Sequence, residues 1–160
     1  MKKTVFFIMI FLIPLILMLF IKPVSPDLLD APSPNQEIQS SNNNLQMNIE
    51  EYNPKHTDAN IKMVIINSGD TVFGYGEYFY IEKNVDGEWY MLAFDDAVFS
   101  NFSEFDNYGK ALSPGRREEI IINLKTYRLK FDSGEYRVVK AFRHHGDPRV
   151  FWLADEFTVT

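Results

Sequence analysis

The chain has no cysteine. That absence excludes a disulfide framework, a thiolate nucleophile, a cysteine-based zinc site and a lipoprotein anchor built on a lipidated Cys. Basic residues are the second shortage. Lys and Arg number 16 against 22 Asp and Glu, a formal net charge of -6. A nucleic-acid partner is not expected from such a balance, because phosphates need clustered cations. Catalytic punctuation is missing too. There is no G-x-S-x-G elbow, and Gly74-Tyr75-Gly76 is too short for a phosphate-cradling loop. No cofactor and no enzymatic activity are expected.

What the chain has in quantity is apolar mass: 46% hydrophobic and 15% aromatic over 160 residues. That composition specifies a folded chain of one domain plus an accessory segment. The first block is Thr4 to Ile21, TVFFIMIFLIPLILMLFI, 18 residues without a charge. As a helix it spans about 27 Å, close to a hydrocarbon core of about 30 Å. Lys2, Lys3 and the amino terminus precede it and Lys22 follows. This bias predicts a cytoplasmic N-terminus and an extracytoplasmic remainder. An uncleaved anchor over residues 1–22 is favoured over a cleaved signal, which would make the protein secreted. The run is longer than a signal core, and Pro26 directly follows Ser25, the nearest small residue to a cut. Residues 23–44 hold four of the eight prolines and are otherwise rich in Asn, Gln and Ser. They are expected to be a disordered linker.

From Leu45 onward two-residue alternation recurs and no helical face is found. Strands are expected at Leu45–Glu51, Ile61–Asn67, Tyr75–Lys83, Glu88–Phe94, Glu118–Leu124, Glu135–His144 and Arg149–Val159. Asp86-Gly87 has the chemistry of a tight hairpin turn. A bulge is expected at Asp155-Glu156, where the alternation breaks. The fold class is therefore all-β, an antiparallel sandwich of about seven strands, preceded by one N-terminal hydrophobic helix. Residues 45–160 are expected to fold alone, as a monomer.

Three motifs occur in order: FGYGEYFYIEKNVDGEWYMLAF over residues 73–94, Leu112-Ser113-Pro114-Gly115, and Ser133-Gly134-Glu135-Tyr136-Arg137-Val138-Val139-Lys140. In combination they resemble the bacterial immunoglobulin-like domain family. The resemblance covers most of residues 45–160 and none of the first 44. It implies an immunoglobulin-like sandwich of an extracytoplasmic, Gram-positive type, with no catalysis. Lipid-anchored relatives would carry a Cys after the apolar run, and this chain departs from them there.

Gly134 and Tyr136 match the corner of Greek-key sandwiches, where a Tyr hydroxyl bonds backbone a few residues upstream. Trp89 reads as a core plug. Tyr75, Tyr78 and Tyr80 form a stripe that is either an interaction surface or covered by the aromatic-bearing loop Asp95–Lys110. His144, His145 and Asp147 read as a solvated turn and not a metal site, and the acids flanking the long loop lack calcium-loop spacing. The reading is a membrane-tethered interaction or structural module whose partner is a protein or a cell-wall polymer. The alternative is a protease-inhibitor-like module working through its end loops, an analogy of fold only.

Overall fold

The computed structural model describes residues 26–53, 59–94 and 109–160. The apolar run 4–21 and most of the aromatic loop, residues 95–108, lie outside them. Among the described residues no helix is long and apolar enough to cross a membrane.

Ten strands are present among the described residues: β1 (Ser41–Asn42), β2 (Leu45–Asn53), β3 (Asn60–Asn67), β4 (Phe73–Tyr75), β5 (Tyr80–Val85), β6 (Glu88–Met91), β7 (Lys110–Leu112), β8 (Arg117–Asn123), β9 (Gly134–His144) and β10 (Val150–Val159). They form two antiparallel sheets. One runs β1-β2-β3-β8. In the other β9 is central, with β10 on one side and β5 and β4 in succession along the other. There β6 lies outside β5, and β7 lies outside β4.

Alternation explains the packing. Met47, Met63 and Ile65 of one sheet meet Ile81, Val138, Phe142 and Leu153 of the other in the inter-sheet core, all without solvent exposure. β9 is buried on both faces, as a central strand must be when both its surfaces are covered. The hairpin turn is as read: Asp86 and Gly87 have φ of 54° and 92°, and Asn84 Oδ1 accepts the Gly87 N–H at 2.9 Å.

Four expectations need correction. The strand expected over Tyr75–Lys83 is two strands, β4 and β5, separated at 76–79. The reason lies in Lys140, an inward position of β9. Its buried ammonium donates to the carbonyls of Gly76 and of Tyr78, the latter at 3.0 Å, so these groups leave the ladder. No bulge occurs in β10, which pairs with β9 residue for residue from Val150 to Val159. The bulge is in β2, between Ile49 and Glu51. The two observations are one device. Asp155 sits at an inward position of β10 and accepts the Ile49 N–H across the sandwich at 2.6 Å. The acid that breaks the apolar alternation is thus the partner of the amide the bulge turns away.

Seven strands become ten by that split and by the short β1 and β7. The fourth correction is the largest. Residues 26–44 are not an unpacked linker where they are described. They run as a belt across the outer face of the β9 sheet. At one edge Leu28 bridges Leu92, the Leu29 N–H donates to Met91 O and the Ala93 N–H donates to Asp27 O, each at 2.9 Å. At the opposite edge the Ala154 N–H of β10 donates to Gln39 O at 3.0 Å. The chain then turns through Asn43 and Asn44, both at positive φ, and enters β2. Asn tolerates that conformation better than most residues, which gives the Asn run a structural use.

Lys140 carries a testable consequence. Burial lowers its pKa to about 8; the Glu77 charge opposes the shift and Lys110 adds to it. Between that value and the ordinary 10.5 the unfolded chain holds the extra proton, so this group adds stability as pH rises and loses it as pH falls through 8. Urea melts from pH 7.5 to 10.5 should show that rise, and its absence from Lys140→Met is the expected difference. Identical pH slopes in both proteins would contradict it.

Candidate functional site

The outer face of the β9 sheet holds the most elaborate polar cluster among the described residues. Pleating places Glu82 of β5, Arg137 of β9 and Trp89 of β6 there. Arg137 Nε donates to Glu82 Oε2 at 2.5 Å, with the two side chains 2% and 1% exposed. The remaining guanidinium donors point at the belt: Nη1 to Gln36 O at 2.9 Å and Nη2 to Asn35 O at 2.8 Å. Below, the guanidinium lies 4.4 Å from the centroid of the Trp89 ring. A rigid donor fork suits this geometry, since one cation serves a carboxylate, two carbonyls and an aromatic face. Among the described residues Glu82 Oε1 and Ser33 Oγ are buried without a hydrogen-bond partner.

Gln36 completes the seam. Its side-chain amide imitates a peptide: Oε1 accepts the Trp89 N–H at 2.7 Å, while Nε2 donates to Trp89 O at 3.1 Å and to Ser33 O at 2.7 Å. The Ser33 N–H also donates to Trp89 O, at 2.8 Å. The β6 edge, otherwise open to strand addition, is closed in this way. Ile38 packs with Tyr78, Tyr80, Val139, Met91, Ala154 and Trp152 in a second apolar cluster on this face.

Each residue singled out in the sequence now has a place. Trp89 is buried, but under Arg137 on the outer face and not between the sheets. Tyr75 does not share a stripe with Tyr80. It is buried in the inter-sheet core, while Tyr80 is buried on the outer face and Tyr78 is half-buried beside it. Two-residue alternation counted back from Ile81 puts Phe79 and Tyr75 on the inward face and Tyr78 and Tyr80 on the outer one, so a stripe of all three tyrosines miscounts the parity. Whether the 95–108 segment covers these rings lies outside the described residues.

Tyr136 makes the corner. Its hydroxyl donates to Asp132, whose backbone O lies at 3.1 Å and Oδ1 at 2.5 Å. Lys83 Nζ reaches the same Oδ1 at 2.6 Å. Gly134, with φ of 150°, leaves room for this lysine: a Cβ there would stand 3.1 Å from Lys83 Cε. Burial acts to raise the Asp132 pKa, but the hydrogen bonds from Lys83 and Tyr136, with the lysine charge, outweigh it and hold the carboxyl below its ordinary range. The contribution of this ionisation is present above the ordinary carboxylate pKa and is lost as pH falls through the lowered one. Tyr136→Phe should cost about 1–2 kcal/mol at neutral pH, since the lost bond has a charged acceptor. Chemical denaturation checks this, and an unchanged midpoint would show that the corner contributes nothing.

The histidine turn is occupied by other contacts. Arg149 takes Asp147 with three contacts of 2.6–3.1 Å, and this pairing lowers the Asp147 pKa to about 2. The His144 ring lies against Phe73, centroids 4.8 Å apart. Among the described residues no group of three His, Asp or Glu side chains converges on one point. An open groove of about 520 Å³ lies beside this turn, between Gly74, Lys110, Arg143 and Pro148. At the turn the Thr71 hydroxyl stands 3.5 Å from His144 Nδ1.

Of these features the sequence missed the belt and the Glu82–Arg137 pair. The pair had a partial signal: Arg137 lies inside the apolar run Tyr136-Arg137-Val138-Val139, and Glu82 directly follows Phe79-Tyr80-Ile81 on the adjacent strand.

No curated protein matches the chain. Among solved structures, a β-glucosidase from Kluyveromyces marxianus is similar over 69% of this chain and 15% of its own, with 16% identity and a TM-score of 0.28. This chain thus spans a small part of that protein, and the likeness carries no argument. The family comparison is of another order. Residues 41–158 match the model of the bacterial Ig-like domain, about three-quarters of the chain and nearly all of both sheets. The chain belongs to the bacterial Ig-like domain family.

Proposed function

We propose that this protein is a non-catalytic, extracytoplasmic Ig-like module, tethered to a membrane through Thr4 to Ile21, that acts by interaction or as a structural element. Family membership supports the first half of this reading, since the domain is a scaffold. The observation that carries the second half is the uncharged 18-residue run with its positive charge weighted to the N-terminal side. The domain is not held by adsorption. Setting aside residues 1–22 removes three of the 16 basic residues and none of the 22 acidic ones, leaving a net of -9. Such a charge is repelled by an anionic surface.

Topology tests the reading. Protease added to intact cell bodies should remove the sandwich and leave a tagged N-terminal stub in the membrane. Lys2→Glu with Lys3→Glu should lower the exported fraction. Recovery of a soluble, N-terminally trimmed domain would show a cleaved signal instead, and full protection would overturn the orientation.

A further inference from the structure

The belt sets the length of the tether. Resting on the anchored reading above, the apolar run ends at Ile21, and Asp27 is already bonded to the β6 edge through the Ala93 N–H. Only residues 22–26 intervene. Six Cα-to-Cα steps reach at most about 20 Å. With the belt undocked, the free chain would run from Ile21 to Leu45, whose full extension is about 80 Å.

We infer that the belt takes up the tether and holds the sandwich with its β6 edge toward the membrane, within about 20 Å of the end of the span. The docked state is the favoured one because release strips two carbonyls from a buried guanidinium. It also opens the Trp89 peptide that Gln36 closes. The orientation follows from where the belt begins. Asp27 and Leu29 lie on β6, and β5, β9 and β10 succeed it across the sheet, so β10 stands about 14 Å farther along the sheet. The net negative charge of the domain opposes closer approach over a screening length of about 8 Å, so the edge stands off the surface and does not lie on it. The module can then touch only what stands within about one domain diameter of the bilayer.

The missing cysteines make the test clean, since one introduced thiol labels uniquely. Glu88→Cys on β6 and Glu156→Cys on β10 are both exposed positions. The full chain, labelled with a donor dye at one or the other, is reconstituted in phosphatidylcholine vesicles carrying an acceptor on a minor share of headgroups. Energy transfer from residue 88 should exceed that from residue 156 by about twofold, the effect of a leash of about 20 Å and an offset of about 14 Å. Inserting a flexible Gly-Ser segment of about 15 residues between Ser25 and Pro26, with the belt untouched, should lower both signals and abolish their difference. Equal transfer from the two sites in the uninserted chain would overturn the inference, as would insensitivity to the insertion. Failure of the full chain to associate with the vesicles, or association of protein that lacks residues 1–22, would overturn the anchored reading itself, a distinct result.

Discussion

Arg137→Ala is expected to destabilise the domain by about 3–5 kcal/mol, the usual cost of breaking a buried ion pair from one side. The loss is not the strength of one contact. Glu82 would remain as a carboxylate with almost no exposure and no counter-charge, and the carbonyls of Asn35 and Gln36 would lose their donors. The Trp89 ring would also lose the cation above it. A double variant, Arg137→Met with Glu82→Leu, should recover part of the loss, because an apolar pair leaves no orphaned charge. Urea denaturation of the three proteins measures both effects. A single-variant loss under about 1 kcal/mol would place the pair in contact with water.

Removing the belt is the second large effect. The sequence alone suggests that residues 45–160 suffice, and the structure changes that expectation. Truncation to Leu45 deletes the two carbonyls bonded by Arg137, the Gln36 amide on the Trp89 peptide and the Gln39 carbonyl on β10. Much of the gain from these bonds is offset by the entropy of ordering the belt, so their sum overstates the loss. The two charge-assisted bonds alone put the net loss at about 2–4 kcal/mol relative to residues 26–160. Ile38 would also leave Tyr80 and Trp152 uncovered beside a β6 edge with free backbone groups. The truncated domain should therefore associate as concentration rises, as open edges do. Sedimentation velocity separates the cases: a monomer of unchanged stability after truncation would mean that the belt is ornamental.

The parts of the fold legible in the sequence were those with a strong period or turn chemistry. Leu45, Met47 and Ile49 alternate with polar residues, and Asp86-Gly87 punctuates the hairpin it forms. Tyr136 and Gly134 were readable because a corner needs a hydroxyl and a residue without a Cβ at fixed offsets. The belt was hidden by its composition. Three prolines among Ser, Asn and Gln look unable to build a core, and the belt builds none. Its backbone and one Gln side chain do the bonding, and only Leu28 and Ile38 pack against apolar clusters. Asp155 was misread as a bulge, and the role of Lys140 was missed, for a related reason. Each interrupts an apolar pattern, and each is the partner of backbone groups displaced elsewhere, at 76–79 and at Ile49. Such long-range pairing leaves no local periodic trace.

Amide hydrogen exchange on residues 26–160 tests the belt most directly. The N–H groups of Leu29 and Ser33 bond β6 carbonyls, and those of Trp89, Ala93 and Ala154 are held by belt oxygens. All five are predicted to exchange with the slow, globally protected core represented by Val138 and Ile65. Exchange of these five at the rate of an open chain, with the core still protected, would contradict the account and return residues 26–44 to a linker.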